Sequence, residues 1–296
     1  MANRWVSAAR LRTLPLSFGS ILLGSLLAAH YGSFSLSILL LSLLTTLLLQ
    51  VLSNYANDLG DTLHGADAQR KDGPQRMVQA GLITISQMRN AVYVTGSLAF
   101  ATGVALLVVA NLSQSQWLAF LLLGLASIAA AYLYTNGYRP YGYLGLGDIF
   151  VFLFFGIIGV GGPFYLITHQ WHQEVLLPAT AAGLLATGVL NLNNMRDIET
   201  DRAAGKLSIP ARLGFAWAKV YHLSLLLAVL GCLGCFAFFY VQIHLALLLA
   251  ILSLILLLII QFIRVSTPAQ AGSLLPRLAM AAFVIDLLFG IGVAGV

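Results

Sequence analysis

Long apolar stretches, broken by short polar connections, run through the whole chain. Nine of them read as membrane-spanning helices, at roughly Leu14–Ala29, Leu36–Ala56, Met88–Ala110, Trp117–Thr135, Leu146–Thr168, Val175–Arg196, Trp217–Tyr240, Ile243–Ile263 and Leu274–Val296. A helix needs about 20 mostly apolar residues to cross a bilayer. A membrane β-barrel would instead show alternating segments of about ten residues, whereas these runs are continuous and rich in Leu and Ala. The predicted architecture is all-α: a polytopic membrane protein whose residues 1–296 form a single nine-transmembrane-helix bundle.

Assigning the connections alternately to the two membrane faces sorts the charges. One face receives the N-terminus and the connections after spans two, four, six and eight, and it holds all 15 Lys and Arg residues. The other shows His30, His169, His172, His244 and Glu174 but no Lys or Arg. The positive-inside bias then predicts a cytoplasmic N-terminus and an extracytoplasmic C-terminus. One span more or fewer would scramble this partition. Composition agrees: 59% of the 296 residues are hydrophobic and 8% charged, against about 25% charged in a soluble domain. That excludes a water-soluble globule, a disordered chain and a nucleic-acid-binding domain. The net charge of +5 reflects topology, and the partner it implies is the lipid bilayer.

Smaller features are read in the same frame. Ala28-Ala29-His30 could end a cleaved signal peptide, but Pro15 and eight further spans favour a retained first helix. Cys232 and Cys235, flanked by Gly231 and Gly234, read as a small-residue packing surface. Gly161-Gly162-Pro163 is expected to bend or break span five.

Chemistry concentrates at two helix ends. Span two finishes in Asn54-Tyr55-Ala56-Asn57-Asp58-Leu59-Gly60-Asp61, and span six in Asn193-Asn194-Met195-Arg196-Asp197-Ile198-Glu199-Thr200-Asp201. Residues three and four apart share a helix face, so each segment presents a stripe of amides and carboxylates. Carboxylates at a helix C-terminus oppose the helix dipole, and a charge inside the bilayer costs on the order of 2.5–3.5 kcal/mol. Cations must neutralise such clusters. Hard oxygen ligands suit Mg²⁺, which is held by one or two carboxylates plus substrate phosphates. Two such stripes facing each other across a cavity would hold a diphosphate through bridging Mg²⁺. Polar caps that merely end the helices are the alternative, and they must account for the same Asn-before-Asp pattern occurring twice.

Cations follow each stripe: Lys71 and Arg76 after the first, Arg202, Lys206 and Arg212 after the second. Spacing alone does not separate phosphate binding by Arg76 and Lys206 from ordinary cytoplasmic charge. Between spans four and five lies a Tyr- and Gly-dense segment, from Tyr132 through Tyr134, Arg139, Tyr141 and Tyr143 to Asp148. Its tyrosines suit an interfacial belt or stacking on an aromatic ligand and a cation. Asp148 is either an N-cap or a ligand. Asp286 lies within span nine with no role assigned.

These residues resemble the UbiA superfamily of intramembrane prenyltransferases, and within it the MenA-type branch. The resemblance covers nearly the whole chain: Arg12-Thr13-Leu14-Pro15, Leu52 to Asp61, Gly73-Pro74-Gln75-Arg76, Arg139-Pro140-Tyr141-Gly142-Tyr143 with Gly147-Asp148, Asn191 to Asp201, Gly205-Lys206, and Arg212-Leu213-Gly214. Leu207-Ser208-Ile209 stands where the family pattern leads one to expect Asn-Thr-Leu, and the Tyr-x-x-x-Lys pattern of some relatives is absent.

The resemblance implies a central cavity open to the cytoplasmic side and Mg²⁺ as cofactor. It implies Asp58, Asp61, Asp197 and Asp201 as catalytic, metal-binding residues, with Asn54, Asn57, Asn193, Asn194, Lys71, Arg76 and Lys206 around the diphosphate. Tyr134, Arg139 and Asp148 fall to the aromatic acceptor. The implied reaction joins a polyprenyl diphosphate to 1,4-dihydroxy-2-naphthoate with loss of CO₂ and diphosphate, giving demethylmenaquinone in a bacterial inner membrane. Rival readings are a sister enzyme using 4-hydroxybenzoate, homogentisate or a phytyl donor, and a cation-coupled transporter. The placement of the acids at one surface, away from the midplane, disfavours transport.

Overall fold

The computed structural model describes residues 3–65 and 76–295. Among the described residues there is no strand, and nine helices are long and apolar enough to cross a membrane. They are α1 (Leu14–His30), α2 (Leu36–Leu63), α3 (Ile85–Val109), α4 (Gln114–Leu133), α5 (Gly147–Thr168), α6 (Leu176–Arg196), α7 (Phe215–Phe239), α8 (Leu245–Ile263) and α9 (Pro268–Ala294). Their number and order are those predicted from the hydropathy pattern.

Helix ends moved where local chemistry overrides hydropathy. α2 continues through the acidic stripe to Leu63, so Asn57, Asp58 and Asp61 are helical side chains. α3 begins at Ile85 because Thr84 and Gln87 form a reciprocal capping box. α9 begins at Pro268, ahead of the predicted Leu274. The Thr267 side chain caps Gln270 there, and Pro suits a first helical turn.

Span five departs from expectation. Gly161-Gly162-Pro163 does not break it: Gly159–Thr168 is continuous α-helix with Pro163 inside. The irregular part is the π-helical segment Phe152–Ile158 just before it. The widened turn immediately precedes the α-helical segment that holds Pro163. It seats Gly156 against α6, where a Cβ would stand 2.5 Å from the Ala179 carbonyl oxygen.

α1, α6 and α9 form the centre, α1 packing on α9 and α5, and α6 on α7 and α9. Leu23, Leu27, Leu185 and Phe289 are fully buried there, whereas Val108, Leu249 and Phe238 face outward. Between helices in lipid there is little hydrophobic drive, so close packing of small residues substitutes for it. Gly24 shows this best: a Cβ on it would lie 2.1 Å from the Val160 carbonyl oxygen of α5.

The connections sort to two ends as the charge pattern predicted. Arg4 donates to the Leu82 carbonyl at 2.8 Å, and Lys219 to the Ile263 carbonyl at 3.2 Å, so the basic connections gather at one end. At the other, the Tyr31 hydroxyl donates to Glu174 at 2.7 Å.

Gly24→Ala is expected to destabilise the detergent-solubilised protein by about 1–3 kcal/mol, the usual cost of overpacking. Gly234→Ala, at an exposed position with open space around it, should leave stability unchanged or slightly raised. Thermal melts of both variants check this.

Candidate active site

The C-terminal turns of α2 make the first rim. The Asn54 amide donates to the Ala9 carbonyl at 2.8 Å and ties down the short helix Arg4–Ala9. The Asn57 amide oxygen accepts from the Thr135 hydroxyl at 3.1 Å, and Asn136 donates to the Ala56 carbonyl at 2.8 Å. The α4–α5 connection therefore lies directly on α2. Gly60 permits this, since a Cβ there would be 2.6 Å from the Thr135 carbonyl oxygen. Asp61, 2% exposed, is ion-paired with Arg76, accepts from the Tyr143 hydroxyl at 3.0 Å and lies 3.4 Å from the Lys206 ammonium.

The end of α6 makes the second rim. Arg196 grips Asp197 through Nε at 2.7 Å and Nη2 at 2.6 Å, and donates to the Asn193 amide oxygen at 2.8 Å. The chain then turns into a short helix, Ile198–Ala203, which delivers Asp201. Asp201 accepts from the Ser208 hydroxyl at 2.9 Å and lies 4.0 Å from the Lys206 ammonium. Burial pushes its carboxyl up to about 6, against the pull of Lys206 and Ser208.

Lys206 is positioned by the joining of two connections. The Leu207 N–H donates to the Tyr143 carbonyl at 2.9 Å. Gly145 allows the approach: its φ is +80°, and a Cβ would stand 2.3 Å from the Leu207 carbonyl oxygen. The ammonium sits 4.7 Å from the Tyr143 ring centre, a cation–π contact. One cation thus bridges the α2 rim and the α6 rim.

The rims crown a cavity of about 410 Å³. Asn54, Asn57, Asp61 and Arg76 line it from one side, and Asn193, Asn194, Arg196, Asp197, Asp201, Lys206 and Ser208 from the other. Tyr134, Tyr141, Asp148 and Phe150 form a wall, with Tyr141 stacked on Phe150 at 4.0 Å. Away from the rims the lining turns apolar, with Leu16, Ile21, Leu49 and Ile158. A second, apolar cavity of about 140 Å³ shares Ile21, Thr46, Leu49, Ser127 and Ile158 with it.

The donor set fits a magnesium ion that arrives with phosphate. Every candidate ligand is a carboxylate or amide oxygen. Among the described residues no three Asp, Glu, His or Cys side chains gather closely enough to hold an ion by themselves. Mg²⁺ needs only one or two carboxylates when phosphate oxygens complete its shell.

The predicted site residues that lie among the described residues converge on this cavity, with two exceptions. Asp58 points away: its two oxygens accept the backbone N–H groups of Met77 at 2.9 Å and Val78 at 3.3 Å, so it anchors the segment carrying Arg76. Arg139 is exposed, its guanidinium lying over the Tyr138 ring at 5.8 Å. Lys71 falls outside the described residues. Asp148 is not an N-cap, a position taken by Leu146; it accepts from the Tyr221 hydroxyl at 3.2 Å. Asp286 packs in the α1–α9 interface, against Gly19.

Sequence reasoning gave no site role to Arg196 or Tyr221, whereas Tyr143, one of the tyrosines read as able to stack on a cation, does face Lys206. Arg196 had a signal, lying beside Asp197, but counted as topological charge. Tyr221 had none, because it meets Asp148 only through the packing of α7.

Asp58→Ala strips two buried N–H groups of their acceptor, at about 1–3 kcal/mol per orphaned group. Trypsin cleavage after Arg76, a bond sheltered in the native protein, should then accelerate about tenfold or more. Asp148→Asn, which leaves those N–H groups and the Asp61–Arg76 pair bonded, should not have this effect. Timed digestion followed by mass spectrometry distinguishes the two.

Comparison with known proteins fits this geometry. Residues 17–284 match the UbiA prenyltransferase family. The chain is 42% identical over 290 residues to the 1,4-dihydroxy-2-naphthoate octaprenyltransferase of Escherichia coli (strain K12), covering 98% of this chain and 94% of that one. It is 45% identical over 235 residues to the enzyme of the same name from Haemophilus influenzae, covering 79% and 76%. Its fold is similar to a UbiA homolog from Archaeoglobus fulgidus bound to GPP and Mg²⁺, with a TM-score of 0.66 at 17% identity over 99% of this chain and all of that one. The chain is a multi-pass membrane protein and belongs to the UbiA prenyltransferase family.

Proposed function

We propose that this protein transfers a polyprenyl group from polyprenyl diphosphate to 1,4-dihydroxy-2-naphthoate, releasing diphosphate and CO₂ and giving demethylmenaquinone. The observation that carries this reading is the Lys206 bridge between Asp61 and Asp201. It brings two acidic rims together above a cavity that is charged at its mouth and apolar at depth, the shape of a molecule with a diphosphate head and a hydrocarbon tail.

In the reaction the allylic C–O bond breaks and the electron pair leaves with the diphosphate. The ring carbon bearing the carboxylate attacks the allylic cation. Loss of that carboxylate as CO₂ returns its bonding pair to the ring and restores aromaticity. Asp61, Asp197 and Asp201, with the amide oxygens of Asn57, Asn193 and Asn194, would hold Mg²⁺. That ion neutralises charge building on the leaving diphosphate as a Lewis acid. Arg76, Arg196 and Lys206 are the side chains available to phosphate oxygens, Arg through bidentate pairs. Asp58 serves by holding the Arg76 segment. Tyr134 and the Asp148–Tyr221 pair stand on the acceptor side, and removal from water pushes the Tyr134 phenol up, keeping it a hydrogen-bond donor. A cavity closed within a lipid-embedded bundle keeps water from the cation.

The membrane orientation follows from charge. Alternation of the spans assigns every Lys and Arg to the face that carries the rims, and on the positive-inside bias the site and the N-terminus would lie in the cytoplasm and the C-terminus outside the inner membrane.

Asp61→Ala and Asp197→Ala are each expected to lower turnover roughly 10²–10³-fold, as removal of transition-state charge stabilisation does, with membrane insertion unchanged. EDTA should abolish turnover and Mg²⁺ restore it. Tyr221→Phe should raise the KM for the aromatic acceptor and leave the KM for the diphosphate unaltered. Product mass spectrometry on an acceptor panel tests the substrate: preferential prenylation of 4-hydroxybenzoate or homogentisate would overturn it.

A further inference from the structure

Two hydroxyls deep in the apolar half of the cavity system have no part in the chemistry above. Ser42 and Thr45 sit one turn apart on α2, and both line the 140 Å³ apolar cavity. Ser42 is 3% exposed. Neither hydroxyl oxygen has a hydrogen-bond partner among the described residues.

This departs from how other hydroxyls in the bundle behave. Ser25, Thr95, Ser127, Thr168 and Thr187 each donate to the carbonyl four residues earlier, the usual back-bond of Ser and Thr within helices. Ser127 faces the same cavity and still makes that bond, at 2.8 Å. The Thr45 methyl is turned toward α3, 3.9 Å from where a Cβ on Gly103 would stand. A buried donor without an acceptor costs on the order of 1–3 kcal/mol, and a ligand that brings an acceptor relieves that cost.

Position limits what the ligand can be. The apolar cavity adjoins the larger one, sharing Ile21, Thr46, Leu49, Ser127 and Ile158 with it. Its occupant is therefore the far part of a molecule whose head lies at the rims. At 1.5 Å rise per residue, Thr45 lies about 24 Å along α2 from Asp61, several isoprene units from the diphosphate. At that depth a polyprenyl chain offers one kind of acceptor, the π electrons of its recurring double bonds, and a saturated chain offers none.

Resting on the transferase reading, we propose that Ser42 and Thr45 donate O–H···π hydrogen bonds to double bonds of the bound tail, selecting an unsaturated donor over a saturated one of equal length. Weak hydrogen bonds of this class are worth about a two- to five-fold preference each. The test gives the purified protein octaprenyl diphosphate and the same skeleton hydrogenated beyond its allylic unit, each with 1,4-dihydroxy-2-naphthoate. The wild type is expected to favour the unsaturated donor about tenfold in kcat/KM. Ser42→Ala with Thr45→Val should bring that ratio close to one, mainly by improving use of the hydrogenated donor. Equal kcat/KM values for the two donors in the wild type would overturn the proposal without recourse to any variant. So would an active double variant that keeps the full preference. Absence of prenylated product from both donors would remove the transferase reading itself, and this inference with it.

Discussion

A carboxylate at the end of a membrane helix, out of water and at the wrong pole of the helix dipole, is tolerated only if cations are brought to it. Asp61 is that carboxylate, and the rim end of the bundle is arranged around satisfying it. Arg76 comes from the segment after α2, Tyr143 from the α4–α5 connection and Lys206 from the α6–α7 connection. Removing one member of a buried, paired set typically costs about 3–5 kcal/mol because a charge is left stranded. The same contacts that neutralise Asp61 therefore hold three connections in register over the bundle.

The charge balance of the rims bears on the order in which ligands enter. Among the described residues, Asp61, Asp197 and Asp201 are in contact with Arg76, Arg196 and Lys206, and Arg10 and Arg12 also line the cavity. A bare diphosphate would bring its negative charge beside buried carboxylates whose paired cations are already engaged. A diphosphate accompanied by divalent cations would instead allow an exchange of partners. On the proposed function the carboxylates would be the groups to hold the metal, leaving guanidinium and ammonium groups for phosphate oxygens. In a low-dielectric cavity such an exchange would be favoured over entry of the bare anion, because a stranded charge is costly there.

The bundle and both acidic rims were legible in the sequence because each rests on a local regularity. Hydropathy gave the nine spans, and the three-and-four spacing of Asn and Asp gave the stripes. What stayed hidden depends on contacts between distant segments. Asp58 shares the stripe of Asp61, but the returning Met77–Val78 backbone claims its oxygens. Arg139 sits in a motif dense with candidate chemistry, yet the turn carries it to the exposed tip. Ser208 replaces the expected Thr and keeps a hydroxyl on Asp201, a substitution that preserves the contact through chemistry rather than identity. The span-five irregularity is displaced from Gly161-Gly162-Pro163 to the π-helical segment Phe152–Ile158, where Gly156 packs against α6.

Head and tail are read by different parts of the chain. The rims rest on the ends of α2 and α6, but the wall beside them is built largely by the Tyr134–Asp148 segment, joined to the turn holding Lys206 at Gly145 and Leu207. The apolar continuation is built by the spans α1 to α5, with no contribution from those connections. A connection can change its side chains without disturbing helix packing, whereas a span that alters its cavity face must also preserve its lipid face and its neighbours. On the proposed function, the acceptor side would therefore be free to diverge within this architecture while the apolar lining is held, and acceptor specificity would be set by the α4–α5 connection and by what packs on it, including Tyr221 from α7.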